Sequence, residues 1–268
     1  MSTTIDPRAA VSPQAHIGEN VTIGPFTIVE PGAVVGDGTS VGGNALVGTG
    51  ARIGRDCRIH HGAVVGHAPQ DLKYAGEPTT CEVGDRTEIR EYATLHRGTA
   101  GHGRTVVGSD CLFMAYTHVA HDCTVGNRVI FSNCATLAGH VEVGDYAIIG
   151  GLTPVHQFVR IGAHVMIGGG VRVPKDVPPY VLASQDPVCY LGLNSVGLRR
   201  RGFSADTIAA LERAYGLLYT SGLNVTQGLE RIRGDAALMA VAEVRNVVEF
   251  VAGTRRGIMP GPRLSHGD

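Results

Sequence analysis

The sequence contains no tryptophan, and only 5% of its 268 residues are aromatic. Neither charge is in excess, with 23 Lys and Arg against 24 Asp and Glu, whereas nucleic-acid-binding domains are usually basic. No apolar run approaches the roughly 18 residues that cross a bilayer, and residues 1–10 show no signal-peptide pattern. The six cysteines form no C-x-x-C pair, which argues against a structural zinc site. We therefore expect a cytoplasmic protein without a nucleic-acid partner, stable membrane insertion or a structural zinc site.

Glycine is abundant, and an apolar residue recurs at every sixth position over long stretches. These positions are Val11, Ile17, Ile23, Val29, Val35, Val41, Val47, Ile53, Ile59 and Val65, then Val83, Ile89 and Leu95, and finally Val107, Phe113, Val119, Val125, Phe131, Leu137, Val143, Ile149, Val155, Ile161, Ile167 and Val173. A period of six matches neither an α-helix nor an alternating strand. It is the signature of a parallel β-helix, in which each repeat forms one side of a prism.

The breaks in this period predict the domain organisation. We expect a mainly β fold, with a β-helix over residues 1–177 and extruded loops near 67–80 and 98–104, where the period fails. Glycine is expected to supply unusual backbone angles near the corners. Pro178 and Pro179 end the pattern, and apolar residues then recur at helical spacing. Residues 178–268 are therefore predicted to form a small α-helical domain.

Several polar residues fall together on one edge of the predicted prism, because residues one turn apart lie in one column. They are His121, Gly139, Gln157, Asp122, His140 and His156. One histidine could act as a general base that a carboxylate orients. Three histidines could instead bind zinc, or all of them could merely form hydrogen bonds at a subunit interface. Spacing alone leaves these three hypotheses open.

Six sequence strings in a fixed order resemble the UDP-N-acetylglucosamine 3-O-acyltransferases, which catalyse the first step of lipid A biosynthesis. The strings are QDLKYAGEPT (70–79), HVAHDCTVGN (118–127), ATLAGH (135–140), VHQF (155–158), LRRRGFS (198–204) and TRRG (254–257). The resemblance runs from about residue 5 to 257. It implies a left-handed β-helix, a homotrimer, and transfer of a (3R)-hydroxyacyl group from acyl carrier protein to UDP-N-acetylglucosamine. The phosphopantetheine of the carrier holds the acyl group, and no further cofactor is implied.

The resemblance also implies roles for individual residues. His121 matches the general base, with Asp122 beside it, and the backbone N–H of Gly139 matches the donor to the oxyanion. Asp71 and Lys73 resemble contacts to the sugar nucleotide and pantetheine. The residues that resemble substrate-positioning groups are His118, His140, His156 and Gln157.

Further matches lie towards the C-terminus. Arg200 and Arg201 match a basic pair that meets the nucleotide diphosphate and lies near the acidic carrier protein. Asn194 resembles a contact to uridine, although Val196 stands where some members have a carboxylate. Gly169 matches the position that measures acyl-chain length, and its small size implies a long hydroxyacyl group.

Other functions compete with this one. The later N-acyltransferase of the same pathway carries an extra N-terminal uridine-binding domain, whereas the repeats here begin near Ile5. A zinc-dependent hydratase of the same fold would contain metal after purification. A purely structural solenoid would lack the two loops and the pairing of His121 with Gly139. The preferred chain length, and the choice between N-acetylglucosamine and its 3-amino analogue, stay open.

Overall fold

A computed structural model describes residues 2–261; Met1 of the first predicted domain and residues 262–268 of the second lie outside the described residues. Twenty-seven short strands lie within the described range. In chain order they are β1 (Thr4–Ile5), β2 (Ala10–Val11), β3 (His16–Ile17), β4 (Thr22–Ile23), β5 (Ile28–Val29), β6 (Val34–Val35), β7 (Ser40–Val41), β8 (Leu46–Val47), β9 (Ala51–Ile53), β10 (Arg58–Ile59), β11 (Val64–His67), β12 (Thr80–Val83), β13 (Glu88–Ile89), β14 (Thr94–His96), β15 (Arg104–Val107), β16 (Leu112–Phe113), β17 (His118–Val119), β18 (Thr124–Val125), β19 (Ile130–Phe131), β20 (Thr136–Leu137), β21 (Glu142–Val143), β22 (Ile148–Ile149), β23 (Pro154–Val155), β24 (Arg160–Ile161), β25 (Met166–Ile167), β26 (Val181–Ser184) and β27 (Cys189–Leu193).

The strands form three sheets, and each sheet takes every third strand of the coil. The first sheet begins β1-β4-β7, the second β2-β5-β8, and the third β3-β6-β9. Strands β1 to β25 pair in parallel; Val119, for example, lies beside Leu137, and Leu137 beside Val155. The predicted parallel β-helix is therefore confirmed. Residues spaced by one turn form columns along the prism, as the hexapeptide period requires.

The core of the coil is the column of inward apolar side chains. Val119 and Phe131 have no exposed surface, and the Phe113 and Phe131 rings stack with their centroids 4.8 Å apart. The small position two residues before the inward one is buried as well. Cys81 occupies that position, and burial raises the pKa of its thiol to about 12. A thiol that stays protonated at neutral pH is a packing residue and not a nucleophile.

The repeated glycines serve a different purpose from the one expected. A Cβ atom at Gly36 would come within 2.5 Å of the Gly54 carbonyl oxygen, and one at Gly144 within 2.5 Å of the Ala163 nitrogen. Left-handed backbone angles occur two residues later in most corners, and mostly on residues other than glycine. Asp122 is one of them, with φ of 59°. The glycine after the inward residue is therefore required by the close approach of the next turn.

The three edges of the prism differ in chemistry. The edge between the second and third sheets, called the loop edge, carries both departures from the coil, between β11 and β12 and between β14 and β15. The edge between the first and second sheets, called the aromatic edge, exposes Tyr92, Tyr116 and Leu152. The remaining edge, called the charged edge, carries ion pairs such as Arg86 with Asp110.

The chain leaves the coil through an antiparallel pair, β26 and β27, which extends the first sheet. The helices follow as α1 (Ser195–Arg200), α2 (Ala205–Tyr219), α3 (Val225–Gly234), α4 (Ala236–Ala240) and α5 (Ala242–Ala252). Ser204 caps α2 by accepting from the Thr207 N–H. The buried Tyr215 hydroxyl donates to the Pro179 carbonyl, which ties α2 to the end of the coil. Among residues 2–261, no helix is both long and apolar enough to span a bilayer.

Candidate active site

A compact group of polar side chains lies on the loop edge. His121 and Asp122 come from the corner after β17, and Gly139 and His140 from the corner one turn later. His121 Nδ1 lies 2.8 Å from Asp122 Oδ2, and His140 Nε2 lies 3.8 Å from the same oxygen. The structure thus brings together four of the six residues that the one-turn spacing had put on one edge.

The Asp122 carboxylate is buried and held by the second loop. The Thr99 N–H and hydroxyl donate to its two oxygens at 3.0 and 2.6 Å, and the His102 N–H donates at 3.2 Å. Burial by itself raises the pKa of this carboxyl, but the hydrogen bonds from Thr99, His121 and His102 together keep the pKa below its usual value. Asp122 is therefore ionised at neutral pH, although its side chain has no exposed surface.

This carboxylate fixes the proton on His121. An ionised carboxylate only accepts hydrogen bonds, so His121 Nδ1 must carry the proton that it donates to Asp122. The lone pair of the neutral imidazole then lies on Nε2. The His121 side chain is 14% exposed, so Nε2 can meet a substrate while the ring stays anchored. The arrangement is that of a general base held in one tautomer.

Gly139 lies directly against the His121 ring. A Cβ atom at residue 139 would come within 2.5 Å of His121 Cε1 and 2.7 Å of Nε2. The Gly139 N–H has no hydrogen-bond partner among residues 2–261. On the charged edge, by contrast, the equivalent N–H of Asn127 donates to Asp145 Oδ1 at 2.7 Å. Gly139 therefore offers a free donor beside His121 Nε2, which is the requirement for stabilising an oxyanion.

Aromatic rings surround His140. Its ring stacks on Phe158 at 4.6 Å, and the rings of His102 and His121 meet it edge-on at 5.0 and 5.2 Å. Burial is the main cause that lowers the pKa of His140, and the Asp122 carboxylate opposes it. His140 is therefore neutral at neutral pH and can donate or accept one hydrogen bond.

Two histidines on neighbouring strands of the second sheet, His96 and His118, lie beside this group. His118 Nδ1 lies 2.7 Å from the Thr94 hydroxyl, and the His96 ring meets the His118 ring edge-on at 4.8 Å. His96 is buried, and its Nδ1 has no partner within the described chain. Burial of the ring is the main cause that lowers the pKa of His96 to about 4, and the charges of His118, His67 and His121 lower it further.

Thr99, His102 and His96 were missed by the sequence analysis, although a signal for them existed. Leu95 and Val119 both precede a corner of the loop edge. A loop inserted after Leu95 must therefore leave and rejoin the coil next to the His121 corner. If the one-turn spacing is continued across this loop, Thr99 and His102 come near Asp122.

Four further predicted residues lie on or beside this edge. Asp71 and Lys73 belong to the first loop, where Asp71 Oδ1 accepts from the Lys73 N–H at 2.9 Å, and the Asp71 charge acts on His140. His156 and Gln157 occupy the corner after β23 and are both exposed. His156 Nδ1 donates to the Gln157 carbonyl at 3.0 Å. These side chains are free to meet a ligand.

The remaining predicted residues lie on other edges of the same chain. Asn194 caps α1 and donates to the His164 carbonyl at 3.0 Å, next to the charged edge. Arg201 lies over the Tyr146 ring and donates to the Tyr146 carbonyl at 3.1 Å, whereas Arg200 is exposed. Gly169 follows β25 on the aromatic edge. One chain by itself does not bring these residues to His121.

His121, Asp122 and His140 have ligand atoms within 4.8 Å of one another, a spacing that a metal ion could use. However, both Asp122 oxygens already accept hydrogen bonds, Oδ1 from two backbone N–H groups and Oδ2 from Thr99 and His121. A metal ligated by Oδ2 would have to displace these donors. The donor set fits a base with its orienting carboxylate better than a zinc centre.

Comparison with known proteins identifies the family. Residues 176–259 match the second domain of UDP-N-acetylglucosamine O-acyltransferase, and residues 32–67 and 104–139 match bacterial transferase hexapeptide repeats. The acyl-[acyl-carrier-protein]–UDP-N-acetylglucosamine O-acyltransferase of Thiobacillus denitrificans is 47% identical over 200 residues, covering 74% of this chain and 77% of that protein. The chain belongs to the UDP-N-acetylglucosamine O-acyltransferase family.

Solved structures of the family agree with this assignment. LpxA from Acinetobacter baumannii is 42% identical, with a TM-score of 0.92 over 95% of this chain and 99% of that one. The UDP-N-acetylglucosamine acyltransferase of Bacteroides fragilis is 44% identical, with the same TM-score and coverage. The resemblance inferred from the sequence strings is confirmed, as are the left-handed β-helix with its small helical C-terminal part and the acyltransferase class.

We predict that Gly139→Ala impairs catalysis without unfolding the protein. The new methyl group would push the His121 ring away from Asp122, so kcat should fall by about a hundredfold or more, the scale of general-base catalysis. Steady-state kinetics and circular dichroism are the measurements, with Gly43→Ala as the control, because Gly43 has the same corner position on the aromatic edge and its Cβ atom would also be crowded, 2.9 Å from the Pro25 carbonyl oxygen. An active Gly139→Ala enzyme would mean that the base does not depend on this contact.

The low pKa of His96 predicts how stability depends on pH. Its folded-state pKa is about 4, against about 6.5 in an unfolded chain. Between these values the unfolded state binds more protons, so the free energy of unfolding should fall as pH falls from 6.5 towards 4. Urea denaturation at pH 7 and 5 measures the loss, and His96→Gln should reduce it. An equal loss in the variant would assign the effect to other groups.

Proposed function

We propose that this protein transfers a (3R)-hydroxyacyl group from acyl carrier protein to the glucosamine 3-hydroxyl of UDP-N-acetylglucosamine, the first step of lipid A biosynthesis. The observation that carries the proposal is the arrangement of Asp122, His121 and Gly139 in a chain that belongs to the acyltransferase family. A buried carboxylate, a singly protonated imidazole and a free N–H are the groups that acyl transfer to an alcohol requires.

In this mechanism His121 Nε2 accepts the proton of the 3-hydroxyl as its oxygen attacks the thioester carbonyl carbon. The carbonyl oxygen becomes an oxyanion, which the Gly139 N–H stabilises by donating a hydrogen bond. When the oxyanion collapses, the carbon–sulfur bond breaks, and the thiolate takes the proton from His121. Asp122 stabilises the imidazolium that exists between the two proton transfers and itself stays ionised.

The same proposal includes a homotrimer. His121 lies on the loop edge, whereas Gly169 lies on the aromatic edge and Arg200 and Arg201 follow the charged edge. A substrate that touches all of them must therefore bind between copies of the chain. The exposed Tyr92, Tyr116 and Leu152 support this arrangement, because a second copy would cover an apolar stripe.

The other predicted contacts are assigned within this proposal. Asp71, Lys73, His118, His140, His156 and Gln157 border the loop edge and are proposed to hold the sugar nucleotide and the pantetheine. Arg200 is proposed to meet the diphosphate, because its guanidinium is exposed, with Arg201 held beside it by Tyr146. Asn194 is proposed to act on the uridine side through its position at the start of α1.

We further propose that the acyl group is carried on the phosphopantetheine of acyl carrier protein and that the enzyme uses no metal or other cofactor. All six cysteines are free, which is typical of a reducing compartment and supports the expected cytoplasmic location. A chelator should leave the rate unchanged under this proposal, whereas a zinc-dependent hydratase would lose its activity.

Replacing His121 tests the proposed base. His121→Ala should lower kcat by about 10²–10⁴-fold, because the acceptor hydroxyl then loses its proton acceptor. The assay uses purified protein, UDP-N-acetylglucosamine and hydroxyacyl carrier protein, with circular dichroism to verify the fold. The matched control is His16→Ala, an exposed histidine far from the site on β3. A His121→Ala enzyme with a normal rate would remove this residue from the mechanism.

Replacing Gly169 tests the acyl-chain position. A Cβ atom there would lie 3.1 Å from the Gly151 carbonyl oxygen, so a side chain fits after a small shift and points away from the core. Gly169→Met should shift preference by about four carbons towards shorter donors, since each excluded methylene loses about 0.8 kcal/mol. Competition between donors of different chain length measures the shift, and Gly169→Ala should give a smaller one. An unaltered preference would mean that chain length is measured elsewhere.

A further inference from the structure

A cavity opens beside the His140 ring, on the side that faces the third sheet. It has a volume of about 680 Å³, and its walls include His102, His140, Phe158, Arg160 and Arg255. We call it the tail cavity, because Arg255 belongs to the segment that follows α5. The family resemblance assigned no role to Arg160, Arg255 or His102.

The C-terminal segment is fixed in place by one buried carboxylate. Asp176 is 1% exposed; it accepts from the Thr254 hydroxyl at 2.6 Å and from the Arg160 N–H at 2.9 Å. Its own backbone N–H and carbonyl pair with Gly257 and Met259. The backbone on both sides of Arg255 is therefore anchored to the coil, and the oxygens of Asp176 are occupied by these donors.

The charges that face the tail cavity leave Arg255 without an anionic partner. Arg255 is exposed and forms no ion pair within residues 2–261. Arg160 lies over the Phe250 ring at 4.5 Å, and its Nε is 3.3 Å from Glu142 Oε2. The Glu142 side chain is 64% exposed, so water weakens that pair. The cavity is thus lined by two guanidinium groups and by the carboxylates of Glu142 and Asp176, and of the two arginines only Arg255 has no ion pair within the described residues.

Another part of the lining is aromatic and adjoins His121. The stacked rings of His140 and Phe158 form it, and His140 also touches His121 edge-on. A ligand with an anionic end and a neutral arm fits this combination, because guanidinium groups bind phosphoryl oxygens and flat rings pack against an uncharged chain.

We propose that the tail cavity binds a phosphoryl group of a substrate, with Arg255 as its principal donor and Arg160 beside it. This inference rests on the proposed function, which supplies two carriers of that group. One is the phosphodiester at the end of the donor's pantetheine arm. The other is the diphosphate of the sugar nucleotide, in which case Arg255 would share that group with the Arg200 contact proposed above. In either case the cavity positions the substrate while its reactive part lies at His121.

Kinetics with two forms of the donor test the proposal. The donors are hydroxyacyl-4′-phosphopantetheine and hydroxyacyl-pantetheine, which lacks the phosphate. The variants are Arg255→Gln, the charge-preserving Arg255→Lys, and the control Arg233→Gln, an exposed arginine on α3. Loss of a charge-assisted hydrogen bond should raise one KM by about tenfold or more with kcat unchanged. Arg255→Lys should restore part of it, and Arg233→Gln should behave as the unaltered protein.

The measured KM values distinguish the two carriers from each other and also show when the proposal fails. A higher KM for the phosphorylated donor alone assigns the cavity to the pantetheine arm, and a higher KM for UDP-N-acetylglucosamine alone assigns it to the diphosphate. An equal effect on both donor forms, or no change in any KM, overturns the proposal.

Binding measured without turnover separates the cavity from the proposed function. Calorimetric titration with 4′-phosphopantetheine, with pantetheine and with UDP-N-acetylglucosamine should show tighter binding of one phosphorylated ligand, and Arg255→Gln should remove that difference. Absence of transfer by the unaltered protein would refute the proposed function and leave this binding result intact. If each ligand bound the unaltered protein and Arg255→Gln with the same affinity, the proposed role of the tail cavity would be refuted.

Discussion

Backbone hydrogen bonds between successive turns of the coil determine where every other group lies. The Ala120 N–H donates to the Leu137 carbonyl, and the Ala138 N–H donates to the Val155 carbonyl, so each turn sets the register of the next. A slip by one residue would turn the inward column outward. The buried apolar column prevents such a slip, and it therefore also fixes which corner side chains meet on an edge.

The candidate site follows from this register with few special features. His121 meets Gly139 because the two residues occupy the same position in successive turns, and the glycine leaves room for the ring. The second loop adds what a regular corner does not have, namely donors for a buried carboxylate. Without Thr99 and the His102 N–H, only His121 would donate to the buried Asp122 carboxylate, and a buried charge with so few donors is costly in a protein interior. The loop thus stabilises the fold and sets the tautomer of His121.

Each edge of the prism is proposed to carry a different part of the reaction. Proton transfer is proposed for the loop edge, chain-length selection for the aromatic edge, and recognition of the diphosphate for the residues after the charged edge. A rigid solenoid cannot bend to bring its own edges together. Assembly of several copies is the physical solution that this proposal requires, and the C-terminal segment, anchored by Asp176, places Arg255 beside the loop edge.

The sequence by itself determined the coil, the columns and the grouping of His121, Asp122, Gly139 and His140, because a strict period converts residue number into position. The strings of residues determined the family. Only the tertiary structure showed that Thr99 and His102 hold Asp122, that glycines such as Gly36 are needed for close approach, and that Arg255 faces His140. These contacts depend on how loops and the C-terminal segment return to the coil. Such returns have no period, so side-chain packing decides them.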